Sequence, residues 1–188
     1  MMKRFLCAVL LCSVSAWAGD ECLKNADFKK GKSKWQGDAD LVYLKPDGTE
    51  GAEEDAGVIP VLKVKLKKSE SNFVYQEFKI KDPKTTLSVS VEVRTSDDFK
   101  RTDNESLYTK TAWKAGATWY WSGVEVPPVD FWIRVGSGWL YKMADAKAEW
   151  QKVEGNWTDI KANEERSLYF CVPPGTGAVY IKNPMVTP

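Results

Sequence analysis

The feature that most constrains this chain is a period-two alternation of apolar and polar residues that recurs along its length, with no helical period to rival it. Leu62, Val64 and Leu66 fall on one face of a stretch whose other face is lysine, and residues 73–80 read as a further strand. Leu87, Val89, Val91 and Val93 alternate with Ser88, Ser90, Glu92 and Arg94. Phe131, Ile133 and Val135 alternate with Trp132 and Arg134, and near the end Leu168, Phe170, Val172, Val179 and Ile181 continue the pattern. Successive side chains of a strand point to opposite faces, so clean alternation means sheets with one buried side. The expectation is an all-β fold of antiparallel sheets packed as a β-sandwich.

Turn chemistry falls between these runs, at residues 45–57, 81–85 and 172–177, which are rich in Pro, Gly and Asp. One short piece, residues 142–150, reads as helical. The chain opens with Lys3 and Arg4, an apolar run from Phe5 to Val14 and a small-x-small Ala16-Trp17-Ala18, the pattern of a secretory leader cleaved near Ala18. The run is far short of the roughly 20 residues that span a bilayer, and no transmembrane segment is expected. The reading is therefore a leader over residues 1–18, a single domain over 19–188, and a secreted, periplasmic or extracellular location. Only Cys22 and Cys171 survive such cleavage, and in an oxidising compartment they are expected to form a disulfide, worth about 5 kcal/mol at best on chain-entropy grounds.

Composition removes several classes of chemistry. There is no histidine, which excludes triads built on a His base and His-ligated zinc. Charge is nearly balanced, 27 basic against 26 acidic residues, so no nucleic-acid partner is expected. Ser137 lacks the glycine frame of a nucleophile elbow, and no phosphate-cradling glycine pattern occurs. The carboxylate doublets Asp97-Asp98 and Glu164-Glu165 would point to opposite faces of a strand and read as solvated charge. No enzyme activity and no cofactor are expected. Asn104 and Asn156 open glycosylation sequons.

Aromatics remain, with nine tryptophans of which Trp17 belongs to the leader. Flat side chains offer rigid contact area at low entropy cost, which suits the apolar faces of sugar rings. Trp35, Trp150 and Trp157 read as packing. Trp119 and Trp121 share one strand face that is either core or platform. Alternation turns Trp132 and Arg134 outward, an indole to stack and a guanidinium to donate hydrogen bonds, and Trp139 and Tyr141 follow on a glycine-flanked loop. Arg94 is a further candidate donor.

Two segments carry a family resemblance. Residues 25–35 have the spacing N-x-x-F-x-x-G-x-x-x-W, and residues 149–188 hold two Trp strands, an apolar strand, a Pro-Gly turn and a last strand. Both are similar to the carbohydrate-binding modules of families 4, 9, 16 and 22, and residues 71–96 resemble the Gln-bearing strand and following core strand of that group. The resemblance implies a galactose-binding-like jelly roll with adjacent terminal strands. Residues 97–148 match the group poorly, so the resemblance, taken with the aromatic excess, implies binding of a polysaccharide or glycan, while the contacts expected from the residues themselves are Trp132, Trp139, Tyr141, Trp119, Trp121, Arg134 and Arg94. The alternative is a structural or adhesive cell-envelope protein that uses the sandwich to hold a protein partner. The group's structural calcium is not expected, because its acidic positions read Lys29 and Lys182 here, and an ammonium cannot serve an ion that takes roughly six to eight oxygens.

Overall fold

The computed structural model describes residues 22–80, 86–102, 130–135, 138–143, 147–158 and 165–187, with the backbone course alone over 138–143. Two antiparallel sheets face each other. The first contains β1 (Gln36–Gly37), β5 (Asn72–Lys79), β8 (Phe131–Val135), β9 (Gly138–Met143) and β11 (Glu165–Val172), in the order β1-β5-β11-β8-β9. The second contains β2 (Asp40–Leu44), β3 (Glu50–Gly51), β4 (Ile59–Lys65), β6 (Thr86–Thr95), β10 (Gln151–Thr158) and β13 (Ala178–Thr187), in the order β10-β6-β13-β4-β2-β3. A two-stranded ribbon of β7 (Lys100–Arg101) and β12 (Gly175–Thr176) closes one end. This is the antiparallel β-sandwich that the alternation predicts, with neighbours in each sheet drawn from distant parts of the chain.

The inner faces are those read from the sequence. Leu168, Phe170, Val172, Phe131, Ile133 and Val135 of the five-stranded sheet pack against Leu62, Val64, Leu87, Val89, Val91, Val93, Val179 and Ile181 of the six-stranded one. The segment before β1 fills the end of this core with Leu23, Phe28 and Trp35; the Trp35 ring stacks on Phe170 at 5.7 Å and takes the edge of Phe28. Gln76, only 1% exposed, fixes this segment: its Oε1 accepts from the Lys24 amide at 2.5 Å and its Nε2 donates to the Lys24 carbonyl at 2.8 Å. A buried amide must satisfy both its ends, so Gln76 acts as one rung of an extra strand. The Cys22 amide donates to the carbonyl of Val186, which lays the start of the described chain beside the last strand.

A bulge in β13 decides which residues of the last strand are inside. The register with β6 slips between Lys182 and Met185, at Asn183, whose φ is 49°. Asparagine tolerates that left-handed conformation better than most residues. The slip reverses parity, so Ile181 and Val186 both face the core while Met185 is 46% exposed.

Three expectations need correction or placing. Cys22 and Cys171 are not joined. Cys22 lies against β13 at the edge of the core, whereas Cys171 alternates with the inward Phe170 and Val172 and so projects from the far side of the other sheet. The thickness of a sheet separates the two thiols, more than a disulfide spans. Residues 142–150 form no helix among the described residues: β9 runs through Met143, and the Lys147 carbonyl accepts from the Thr95 amide. Trp119 and Trp121 lie outside the described residues, as does the turn at 81–85.

Candidate carbohydrate-binding face

The residues that alternation sends outward from the five-stranded sheet meet in rows across the strands. In one row Gln36 pairs with Tyr75, Tyr75 with Tyr169, Tyr169 with Arg134, and Arg134 with Trp139. At about 4.8 Å per strand, those five positions form a line about 19 Å long. Tyr75 and Tyr169 stack at 4.9 Å with planes 24° apart, and the Arg134 guanidinium lies 5.3 Å from the Tyr169 ring centre. The Tyr75 hydroxyl donates to Gln36 Oε1 at 2.8 Å. Phe73 flanks the pair, 6.1 Å from Tyr75 and edge-on to Tyr169 at 5.9 Å.

The next row is Phe73, Cys171 and Trp132. Trp132 does face outward from the sandwich, as its place between Phe131 and Ile133 requires, yet it is only 3% exposed and packs with Cys171, Phe73 and Tyr169. It supports the tyrosines from the side rather than standing open. Burial pushes the Cys171 thiol up to about 12, against the opposing pull of nearby Arg134, so it is a neutral, inert part of this layer. Trp139 and Tyr141 are not on a loop, as expected, but on strand β9, where Trp139 is level with Arg134 at the far end of the row and Tyr141 is level with the inward Ile133, outside it.

Arg94 does not belong to this group. It faces outward from β6 in the six-stranded sheet, level with Tyr180, on the opposite side of the sandwich from Arg134. There Tyr180, Leu44 and Val61 form a small outer core with Val42 and Trp150 at its border. The Tyr180 hydroxyl donates to Glu50 Oε1 at 3.0 Å, and Lys63 reaches the same carboxylate oxygen at 2.5 Å. Burial and the Glu50 charge push the Tyr180 phenol up to about 12, while Lys63 holds the Glu50 carboxyl below its usual range. Lys182 pairs with Glu92 at 3.1 Å, and exposed Lys29 with Asp27 at 3.0 Å. No group of three or more potential metal-ligating side chains occurs among the described residues.

Alternation alone names Trp132 and Arg134 on this face and leaves out Gln36, Phe73, Tyr75 and Tyr169. The signal was present: placing Leu168 and Phe170 inward turns Tyr169 out, and an inward Gln76 turns Tyr75 out. What alternation lacks is register, which brings the two tyrosines side by side.

No family model matches the chain, and no curated protein does. Solved structures do match, in fold. A family 16 carbohydrate-binding module has a TM-score of 0.53 at 11% identity, over 89% of this chain and 99% of that one. A xylan-binding domain of carbohydrate-binding module family 22 has a TM-score of 0.53 at 12% identity, over 92% and 96%. The enzymatically active domain of tailspike protein 4 from bacteriophage CBA120 has a TM-score of 0.52 at 6% identity, over 89% of this chain; the present chain spans only 21% of that one. The fold is therefore that of the galactose-binding-like sandwich found in carbohydrate-binding modules.

Proposed function

We propose that this protein binds a polysaccharide or oligosaccharide chain, without catalysis, on the outer face of its five-stranded sheet. The observation that carries the reading is the single transverse row Gln36-Tyr75-Tyr169-Arg134-Trp139, with its stacked tyrosine pair. Stacked phenol rings held by Phe73 and Trp132 give flat, pre-oriented contact for sugar rings, and Arg134 and Gln36 at either side give fixed donors and acceptors for hydroxyls. The row contains no carboxylate, whereas glycoside hydrolysis calls for a facing pair of them. The xylan-binding neighbour supports the ligand class. The leader pattern at residues 1–18 supports action outside the cytoplasm, where such polymers are met.

Isothermal titration of the protein with xylan, β-glucan and galactan oligosaccharides tests the proposal. Saturable binding to at least one, weakened more than about tenfold in Tyr169→Ala and Tyr75→Ala with the thermal midpoint unchanged beyond a few degrees, is expected of half-buried hot-spot aromatics. Absence of binding across neutral and acidic glycans would refute it and favour an envelope-protein partner on the same aromatic face.

A further inference from the structure

Among the described residues of the six-stranded sheet's outer face, four lysines pair with carboxylates and Arg94 does not. On the six-stranded sheet Lys65 meets Asp40 at 2.8 Å, Lys63 meets Glu50 at 2.5 Å, Lys152 meets Glu154 at 2.6 Å and Lys182 meets Glu92 at 3.1 Å. Arg94 sits among them with aromatic partners alone, its guanidinium carbon 5.7 Å from the Tyr180 ring centre and 6.0 Å from that of Trp150. Among the described residues no carboxylate or carbonyl accepts from this guanidinium, and its Nε is shut from solvent without an acceptor. A buried donor left without a partner is costly.

The guanidinium is also held in place. The two rings lie beside it, and the turn between β2 and β3 approaches it at Gly48, where φ is +85° and a Cβ would collide with Nη1. Lys182 lies on β13 two residues beyond Tyr180, the cross-strand neighbour of Arg94, and brings its Nζ to 4.3 Å from the centre of the same Trp150 ring. Two cations therefore flank one half-buried indole, with Glu92 as the only carboxylate in contact with either among the described residues.

We propose that Arg94, Lys182 and Trp150 form a second binding site, separate from the tyrosine row, for an oxyanion: a sulfate or carboxylate group, free or carried on an acidic sugar. The planar guanidinium supplies directed donors, Lys182 adds a second charge, and the indole holds the two cations near each other. An arginine packed beside two rings loses little freedom on binding, which favours this site over Lys63, Lys65 and Lys152, each paired with a carboxylate and without Arg94's free donors. The site does not depend on the glycan reading of the other face.

The test follows the Trp150 indole N–H and Arg94 Nε–H signals by nitrogen-15 NMR. Potassium sulfate is titrated against potassium chloride at matched ionic strength, and then a glucuronate-bearing oligosaccharide against its neutral reduced counterpart. Saturable shifts with sulfate but not chloride are expected. They should persist in Tyr169→Ala, weaken about tenfold in Lys182→Gln, and disappear at Trp150 in Arg94→Gln, in keeping with the loss of charge-assisted hydrogen bonds. Arg94→Lys, which keeps the charge but not the fork, should restore only part of the affinity. Tighter binding of the glucuronate oligosaccharide than of free sulfate assigns the oxyanion to a sugar; equal or weaker binding assigns it to the free ion. Shifts that never saturate, that chloride reproduces, or that survive in Lys182→Gln unchanged would overturn the proposal. If Arg94→Gln fails to fold, Lys182→Gln decides alone.

Discussion

The two outer faces of this sandwich carry the same kinds of side chain and use them differently. On the five-stranded sheet Tyr75, Tyr169 and Phe73 stand side by side with one arginine and one glutamine at their flanks. On the six-stranded sheet Tyr180 is covered by Leu44 and Val61, its hydroxyl is committed to Glu50, and its ring is bracketed by Lys63 and Arg94. A tyrosine becomes a platform when its cross-strand neighbours are also flat and stack beside it, and becomes packing when neighbouring side chains close over it. An aromatic excess in a sequence therefore marks two outcomes that composition cannot separate.

Removing the shared foundation would abolish the difference. Phe170 stacks on Trp35 and on Phe131 beneath the tyrosine row, so Phe170→Ala should destabilise the fold by about 3–5 kcal/mol in urea titration and remove binding at both faces. Loss of the tyrosine-face ligand alone, with the Arg94 signals intact, would mean that the core does not couple the faces. A second experiment addresses the layer under the tyrosines. With the Cys171 thiol raised from 9.0 to about 12, its thiolate at pH 8 is about a thousandfold scarcer than that of an ordinary cysteine. Maleimide or Ellman's reagent should leave Cys171 unmodified in the folded protein and label it on unfolding; rapid native labelling would show that the Trp132 layer is open.

The smallest effect concerns the closed face. Glu50 has its pKa lowered from 4.5 in the folded state, chiefly by the Lys63 hydrogen bond. Its contribution to stability is thus present above about pH 4.5 and fades as pH falls through the lower folded value. The urea midpoint of Glu50→Gln should lie slightly below that of the parent at pH 7 and converge with it near pH 3. Tyr180, raised from 10.0 to about 12, behaves in the opposite sense: its contribution is full below pH 10 and is lost as pH rises toward 12. Equal midpoints for Glu50→Gln and the parent at pH 7 would mean that the turn over Tyr180 is held by packing alone.

Much of this molecule is legible in its sequence. Alternation placed Leu62, Val64, Leu87, Val89, Val91, Val93, Phe131, Ile133, Leu168, Phe170 and Ile181 inside, and all are buried, because a strand leaves each side chain only two choices of face and water decides between them. The same rule sent Arg94, Trp132 and Arg134 outward. It could not say that Arg94 and Arg134 would emerge on opposite sides, since that depends on which sheet each strand joins. Nor could it say that Cys171 and Cys22 would be held apart, or that Trp132 would be covered though outward. Those outcomes follow from strand order, cross-strand register and the single-residue bulge at Asn183, all of which join residues far apart in the chain. Periodicity is a local property fixed by the backbone of each strand, whereas adjacency across a sheet is set by the packing of the whole fold, and the tyrosine row exists only at that level.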